Sequence, residues 1–477
     1  MTISEAVAGR GSLAGVRWLL FGSETERLLR QTLSGLLRNS EVLGPWRLCG
    51  VRFKPEERLT AVYAVGIPGR GPRPVAVTWK YRLGGGWQRH RAQIAAIHSE
   101  ASKRGLLAPF RALAEEVREW NLRVQVAPFD IDFPQLVRMT DPAYLVEKYP
   151  QLLPGHGAKP PGHAPAFIEP KFLRYQPGKR PVLRYDPANS TSKPAVFAKL
   201  ARADRSVRAF QISMVGSDWL ASHRSTASCV RPLAYEPDDA VVLYPEVVGL
   251  PLSRHLRRPS QDLMTWLSWA GEGLSLLHAA PRALAEGLEE DFFHEKIAPV
   301  CKFVRTLLPK AQAKVDALLE GAQQLYPHLP QELPTLMHSD FKSEHLFLTK
   351  DSLTLIDLDD CRLGDPAVDV GTFLADLRVC HSRYGLPGVE EAQKHFLDGY
   401  SPGVPRERLL RARFFEALEL VHLTAWLVPL ADPLWALKTE SSMQLAVALM
   451  DRLRDTLGYE GCIPRNSTSR QAGASCT

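Results

Sequence analysis

Seven cysteines are spread over the 477 residues, at positions 49, 229, 301, 361, 380, 462 and 476, and no two of them form a C-x-x-C pair. An odd, scattered set supplies neither the clustered thiolates of a zinc site nor a disulfide framework. Charge of one sign is also scarce: Lys and Arg number 59 against 52 Asp and Glu, a net of +7 for the whole chain. No dense basic run interleaved with aromatics is present, so nucleic acid is not an expected partner. The basic segment Lys80 to Arg91 reads as a solvated face. Long apolar runs are missing as well. Glu5 and Arg17 interrupt what a signal peptide keeps apolar, and Pro429, Asp432 and Pro433 cut the most apolar helical stretch short of a bilayer span. These absences fit a reducing cytoplasm with no membrane partner.

What is present is the composition of a globular protein, 45% apolar and 23% charged, at a length that predicts two to three cores. Its densest chemistry lies in Met337 to Thr372, MHSDFKSEHLFLTKDSLTLIDLDDCRLGDPAVDVGT. Asp340 falls two residues after His338 and five before His345, ahead of the apolar Leu346-Phe347-Leu348. This reads as a tight loop feeding a short strand. Thr/Leu-rich pieces flank the Lys350-Asp351-Ser352 turn and predict a hairpin, which returns Ile356-Asp357-Leu358-Asp359-Asp360 beside the Asp340 loop. Two acidic centres then converge. Phosphoryl transfer from a nucleotide uses such a pair, one carboxylate to orient the attacking hydroxyl and another to hold the magnesium that bridges the phosphates.

HSDFKSEH, residues 338 to 345, resembles the catalytic loop of the protein-kinase-like fold. Protein kinases read H-R-D-L-K-P-E-N there, and the aminoglycoside and choline phosphotransferases read H-G-D-x-x-x-x-N. IDLDDCRLGDPAVDVG resembles the latter group, which closes its metal segment with G-D-P-x-x-D and has no activation loop with A-P-E. The resemblance implies Asp340 as catalytic base, Lys342 near the transferred phosphate and Asp357 as magnesium ligand. It assigns His338, Asp365 and Asp369 to structural support, Asp369 at the opening of a helix from Val370. ATP and Mg2+ are the implied nucleotide and metal, with GTP and Mn2+ left open. His345 stands where the family has Asn. Imidazole is a poor magnesium ligand. His345 therefore reads either as a nucleotide or metal contact, with Asp359 supplying the missing oxygen, or as packing beneath the loop.

The rest of the chain divides around this stretch. Residues 1–126 form an α+β N-terminal module, with helical spacing from Glu24 to Leu37, three strands between Leu48 and Trp79, and helix over Ala92 to Trp120. VRFKPEERLTAVYAV (51–65) and PVAVTWK (74–80) line up with LRYQPGKRPVLRYDP (173–187) and PAVFAK (194–199), an internal repeat of a strand-turn-strand-strand-Lys unit. The repeat makes the first module a degenerate small lobe or an accessory cap, as in the maltokinase-like relatives it resembles. Residues 127–165 read as a linker with a helix at Pro142 to Leu152 and a Pro/Gly-rich connector carrying His156 and His163. Residues 166–248 are the implied small lobe. Its Pro177-Gly178 corner offers backbone amides to phosphates without being a G-x-G-x-x-G loop. Lys199 reads as a point charge for the inner phosphates or as an edge-strand lysine. The helix after it contains no Glu to hold it. Glu246 to Val248 would present backbone groups to a nucleotide base. Residues 249–457 are a helical large lobe, in which His278 reads as a supporting core residue, and 458–477 a disordered tail.

The expected fold is therefore α+β: a bilobal protein-kinase-like fold, small antiparallel-sheet lobe and large mainly helical lobe, preceded by an extra α+β module. The expected function is ATP-dependent phosphorylation of a hydroxyl on an aminoglycoside-like, sugar or amino-alcohol acceptor. The alternative is a weak or inactive pseudokinase that binds nucleotide or acts as a scaffold. His345, the missing helix Glu and the glycine-poor turn favour that alternative. For the acceptor, Trp266, Trp269, Trp426 and Trp435 are candidates to stack a sugar, and Glu416, Glu419, Asp432 and the acidic run at 286–295 to face a cationic amine. Each also fits ordinary helix packing or a solvated face.

Overall fold

In the computed structural model the described residues are 1–38, 41–84, 86–150, 170–186, 194–282 and 292–458. Three helices open the chain, α1 (Ile3–Ala8), α2 (Ser12–Phe21) and α3 (Ser23–Leu36). A capping box starts α1: the Glu5 N–H donates to Thr2 Oγ1 at 3.2 Å and the Thr2 N–H to the Glu5 carboxylate at 2.8 Å. Strands β1 (Trp46–Lys54), β2 (Arg58–Ile67) and β3 (Arg70–Lys80) form an antiparallel meander. Short α4 (Gly86–Arg89) and α5 (Arg91–Lys103) follow, then the hairpin β4 (Ala114–Val117) and β5 (Leu122–Val126). The sheet order is β1-β2-β3-β5-β4. Helix was expected through Trp120 but stops at Lys103. Gly105, at φ +71°, turns the chain, and Ala114–Val117 pairs with β5, where Glu116 meets Arg123 at 2.9 Å.

Helices α6 (Leu136–Met139) and α7 (Pro142–Lys148) lead to a second sheet. It contains β6 (Pro170–Arg174), β7 (Val182–Tyr185) and β8 (Val196–Leu200), then α8 (Ala203–Ala221), the outlying β9 (Ala227–Cys229), and β10 (Ala234–Glu236) and β11 (Val241–Pro245). Its order, β6-β7-β8-β11-β10, reproduces that of the first sheet element for element. The residue repeat is thus a repeat of topology: a meander, a helix, then a hairpin whose second strand joins the third. The two sheets share one apolar layer. Val62 and Ala76 of the first, Leu183, Tyr185, Ala198 and Leu243 of the second, and Phe133, Leu136, Met139 and Leu145 between them are buried together. The Tyr185 hydroxyl donates to the Met139 carbonyl at 2.9 Å. The His156 and His163 connector, most of the acidic run at 286–295 and the expected tail lie outside the described residues.

The large lobe begins with β12 (Leu250–Pro251), α9 (Leu252–Arg257) and α10 (Leu263–His278). A π-turn at Phe293–Ile297 runs into α11 (Ala298–Leu307), followed by α12 (Gln312–Leu325) and β13 (Thr335–Met337). The expected hairpin forms as β14 (Leu346–Leu348) and β15 (Leu353–Leu355), with Leu346 opposite Leu355. After β16 (Arg362–Gly364), which pairs with β13, come α13 (Ala367–Tyr384), α14 (Val389–Tyr400), α15 (Arg406–Leu427) and α16 (Trp435–Thr456). The N-terminal module touches this lobe too: Phe53 lies 6.3 Å from Phe303, and Glu56 is 2.8 Å from Lys302. Among the described residues no helix is long and apolar enough to cross a membrane, and Cys229, Cys301, Cys361 and Cys380 are buried free thiols.

Helix α10 carries the floor of the site and crosses α14 through glycine. A Cβ on Gly271 would sit 2.1 Å from the Phe396 carbonyl oxygen, and one on Gly399 2.0 Å from that of Ser268. Backbone cannot yield as a side chain does. Gly271→Ala should therefore force the helices apart and destabilise the fold by about 1–3 kcal/mol. Gly35→Ala on α3, where nothing lies within 4 Å, should be neutral or stabilising. Urea denaturation of both variants checks this; equal midpoints would refute the close crossing.

Candidate active site

Alternation along β8 buries Val196, Ala198 and Leu200 toward the shared layer and turns Lys199 to the opposite face. Its ammonium lies 2.5 Å from Asp357 Oδ1 and 2.7 Å from Asp359 Oδ2. Burial opposes the charge, yet Asp359 and Asp357 outweigh it and raise the Lys199 pKa. The carboxylate partner absent from α8 is thus supplied by the metal segment itself. Arg180, at the end of the turn after β6, adds a second cation: Nη1 is 2.9 Å from Asp359 Oδ2 and Nη2 2.5 Å from Asp360 Oδ2. The other oxygen of Asp359 is buried with no hydrogen-bond partner.

On the facing loop, Lys342 Nζ donates to both Asp340 carboxylate oxygens at 3.0 and 2.9 Å. His345 Nδ1 lies 2.9 Å from the Asp340 carbonyl oxygen. A carbonyl only accepts, so Nδ1 carries the proton and Nε2 presents its lone pair, 3.6 Å from Asp357 Oδ2. Burial lowers the His345 pKa and keeps the ring neutral. Burial raises the Asp340 pKa, but His345 and Lys342 more than offset it and hold the carboxyl below its ordinary value. Asp357 is lowered in the same way: burial is overcome by Lys199 and His345. One ligand atom each from Asp340, His345 and Asp357 falls within 4.8 Å of the others.

Both loops are held by buried acceptors. Asp369, in the first turn of α13, accepts the His338 N–H at 2.6 Å and the Ser339 N–H at 2.8 Å. His278 Nε2 is 3.1 Å from the same carboxylate, and its Nδ1 is 2.8 Å from the Tyr400 hydroxyl. Asp376 takes the Ser343 N–H at 2.7 Å, a brace that sequence reading did not single out. His338 Nε2 donates to the Ile356 carbonyl at 3.0 Å and so joins the two acidic loops. Asp365 accepts from Arg411 at 2.9 and 3.0 Å. With that support Ser339 and Asp357 both sit in the left-handed region, at φ +66°.

Residues 192–410 match the model of the phosphotransferase enzyme family. That stretch, a little under half of the chain, resembles the family. Among solved structures, a choline/ethanolamine kinase family protein from Mesorhizobium loti overlaps 67% of this chain and 98% of its own, at 16% identity and a TM-score of 0.45. A thermostable mutant of aminoglycoside phosphotransferase APH(4)-Ia overlaps 67% and 100%, at 12% identity and 0.43. The ethanolamine kinase of Plasmodium vivax overlaps 64% and 87%, at 12% identity and 0.43. No curated protein sequence matches.

Several expected site positions have other partners or orientations than the sequence suggested. The amide of Gly178 turns away from the cleft and donates to Asp130 Oδ2 at 3.3 Å, and a Cβ on it would lie 2.7 Å from Asp132 Oδ2. The corner therefore faces the segment that follows β5, and Arg180 reaches the cleft in its stead. Glu246 is committed as well: its N–H donates to the Ala195 carbonyl at 2.9 Å, and its carboxylate accepts the Ala195 N–H and pairs with Arg184, each at 3.0 Å. Val248 is 74% exposed. The acidic candidates are spoken for, Glu416 by Arg378 and Arg413, Glu419 by Lys296 and His422, and Asp432 by Lys438. Trp435 is buried against Phe303, and Trp266 packs on His255.

Burial, reinforced by the Asp132 charge, pushes the Asp130 carboxyl from an ordinary 3.8 up to about 7. Between those values the folded chain holds a proton that the unfolded chain has lost, so Asp130 removes stability as pH rises through that window. Asp130→Asn keeps an oxygen for the Gly178 N–H. It should be more stable than the parent at pH 8, by on the order of 1–4 kcal/mol, with the advantage gone at pH 4. Chemical denaturation at the two pH values checks this; an equal difference at both would contradict it.

Proposed function

We propose that the protein transfers the γ-phosphoryl group of a purine nucleoside triphosphate, ATP with GTP served by the same backbone groups, to a hydroxyl of a small molecule. The observation that carries this reading is the convergence of Asp340, His345 and Asp357 in one cleft beneath Lys199. Asp340 aligns the acceptor hydroxyl and receives its proton. Its depressed pKa is no obstacle, because a loose transition state asks for orientation more than for base strength. Lys342, bonded to both Asp340 oxygens, stands to neutralise charge on the transferred group. Lys199 and Arg180 are the cations for the remaining phosphate oxygens. With the Glu246 N–H engaged, the base is left to backbone groups at Val247 and Val248.

The donor set fits a divalent cation, magnesium or manganese. Asp357 and Asp359 supply charged oxygens, one of them buried and unpartnered, and His345 Nε2 a neutral nitrogen. When bound, such an ion bridges and neutralises phosphate oxygens. The inactive alternative rested on three features, and each has a counterpart here. Asp357 and Asp359 hold Lys199 in place of a helix Glu, Arg180 brings a side-chain cation where the turn lacks glycine amides, and His345 is neutral with a free lone pair.

Asp340→Asn should lower kcat by about 10²–10⁴-fold while leaving the nucleotide KM within a few-fold. ADP release in the presence of magnesium, over a panel of hydroxyl acceptors, measures both. Unchanged turnover in the variant would remove the enzymatic reading.

A further inference from the structure

The turn from Gln176 to Arg180 gathers more positive charge than the cleft employs. Arg180 closes onto Asp359 and Asp360, but its neighbour Lys179 does not. Lys179 is half-buried, and burial together with Arg52, Arg174, Arg180 and Lys54 pushes its ammonium down to about 8. Arg174 ends β6, whereas Arg52 and Lys54 come from β1 of the N-terminal module, where a Cβ on Gly50 would lie 3.9 Å from Gln176 Nε2. Lys54 is answered by Glu57 at 3.3 Å, an acid that also faces Arg52, and Asp130 and Asp132 stand behind Gly178. Among the described residues Arg52, Arg174 and Lys179 enter no ion pair. Arg52 Nε is buried without a hydrogen-bond partner. Like charges held together with an unused donor form an arrangement that a bound anion relieves.

The cluster is linked to the catalytic loop through α15. The Arg52 guanidinium lies 5.7 Å from the ring centroid of Trp426, near the end of α15. Seven residues earlier on that helix, roughly 10 Å along its axis, Glu419 pairs with Lys296 at 2.7 Å, and the Lys296 charge acts on Asp340. The acidic groups of α15 that would greet a polyamine are already paired with protein cations.

We propose that Arg52, Arg174 and Lys179 form a subsite for an anionic group, and that the hydroxyl acceptor carries a phosphate or carboxylate which this subsite holds. The acceptor part rests on the phosphotransferase reading; the subsite itself does not. Inorganic phosphate titrated calorimetrically into the full chain, already saturated with a non-hydrolysable ATP analogue and magnesium, probes the subsite with all three nucleotide phosphate positions filled. Saturable binding that weakens with salt is expected, reduced about tenfold or more in the double variant Arg52→Ala/Lys179→Ala. ADP affinity unchanged within about threefold reports that the variant is folded. No saturable binding, or binding that the folded variant retains, overturns the subsite. A second arm measures ATP consumption with glucose 6-phosphate, gluconate, glucose and glucosamine, which are two anions, a neutral sugar and a cation. Preference for the anionic compounds is expected. Preference for glucose or glucosamine overturns the acceptor assignment and leaves phosphoryl transfer standing. With no turnover of any of them the acceptor assignment fails, and phosphate binding alone decides the subsite.

Discussion

The ion cluster of Lys199, Arg180, Asp357 and Asp359 is the constraint on which the site depends, because it ties a strand and a turn of the small sheet to the metal segment of the helical lobe. Buried ion pairs contribute little net stability, since desolvation cancels most of their attraction. Their value here is geometric. Two cations sharing one oxygen of Asp359 permit few relative positions of sheet and loop, and removing Lys199 would leave Asp357 without its lysine partner. The same cations keep Asp357 ionised against burial, so its oxygens are charged ligands at neutral pH.

A site of converging charges also needs backbone that does not relax away from it. Asp369 and Asp376, both buried on α13, take three amide hydrogens from the 338–343 loop, and His278 and Tyr400 extend that brace into α10 and α14. This network holds Ser339 and Asp357 in left-handed backbone, a conformation costing about 1–3 kcal/mol for a non-glycine residue. The Gly271–Gly399 crossing belongs to the same device: it lets α10 approach α14 closely enough for His278 to meet Tyr400.

How much of this was legible in the sequence follows the range of each interaction. The hairpin at 346–355, the Asp340 loop and the strand carrying Lys199 are local, set by alternation and turn chemistry, and their residues announce them. The pairing of Arg180 with Asp359 spans 179 residues and leaves no local trace. The same holds for Asp376, which looks like any polar residue of a buried helix until its loop partner is seen. Gly178 misled for a related reason. A Pro-Gly corner predicts a turn correctly but not what its amide faces, and the segment after β5 presents Asp130 to it. The strand Ala114–Val117 was hidden because its partner, β5, alone makes it a strand.

The two sheets share a strand order, and their lysines show how one topology serves two ends. Lys80 closes β3 opposite Arg58; burial, Arg123 and Arg58 lower its pKa, with Glu116 and Asp132 only partly compensating. Lys199, near the end of the matching strand, is raised by Asp359 and Asp357. The turn between β1 and β2, which corresponds to the Arg180 turn, spends Glu56 on Lys302 of α11. Among the described residues Lys80 thus enters no ion pair, and the first sheet docks where the second opens onto a loop of aspartates. Chemistry of this kind belongs to the partner a sheet faces and not to the sheet itself. The first copy, facing α11 and the flank of the second sheet, is left to shape the wall of a cleft it does not contain.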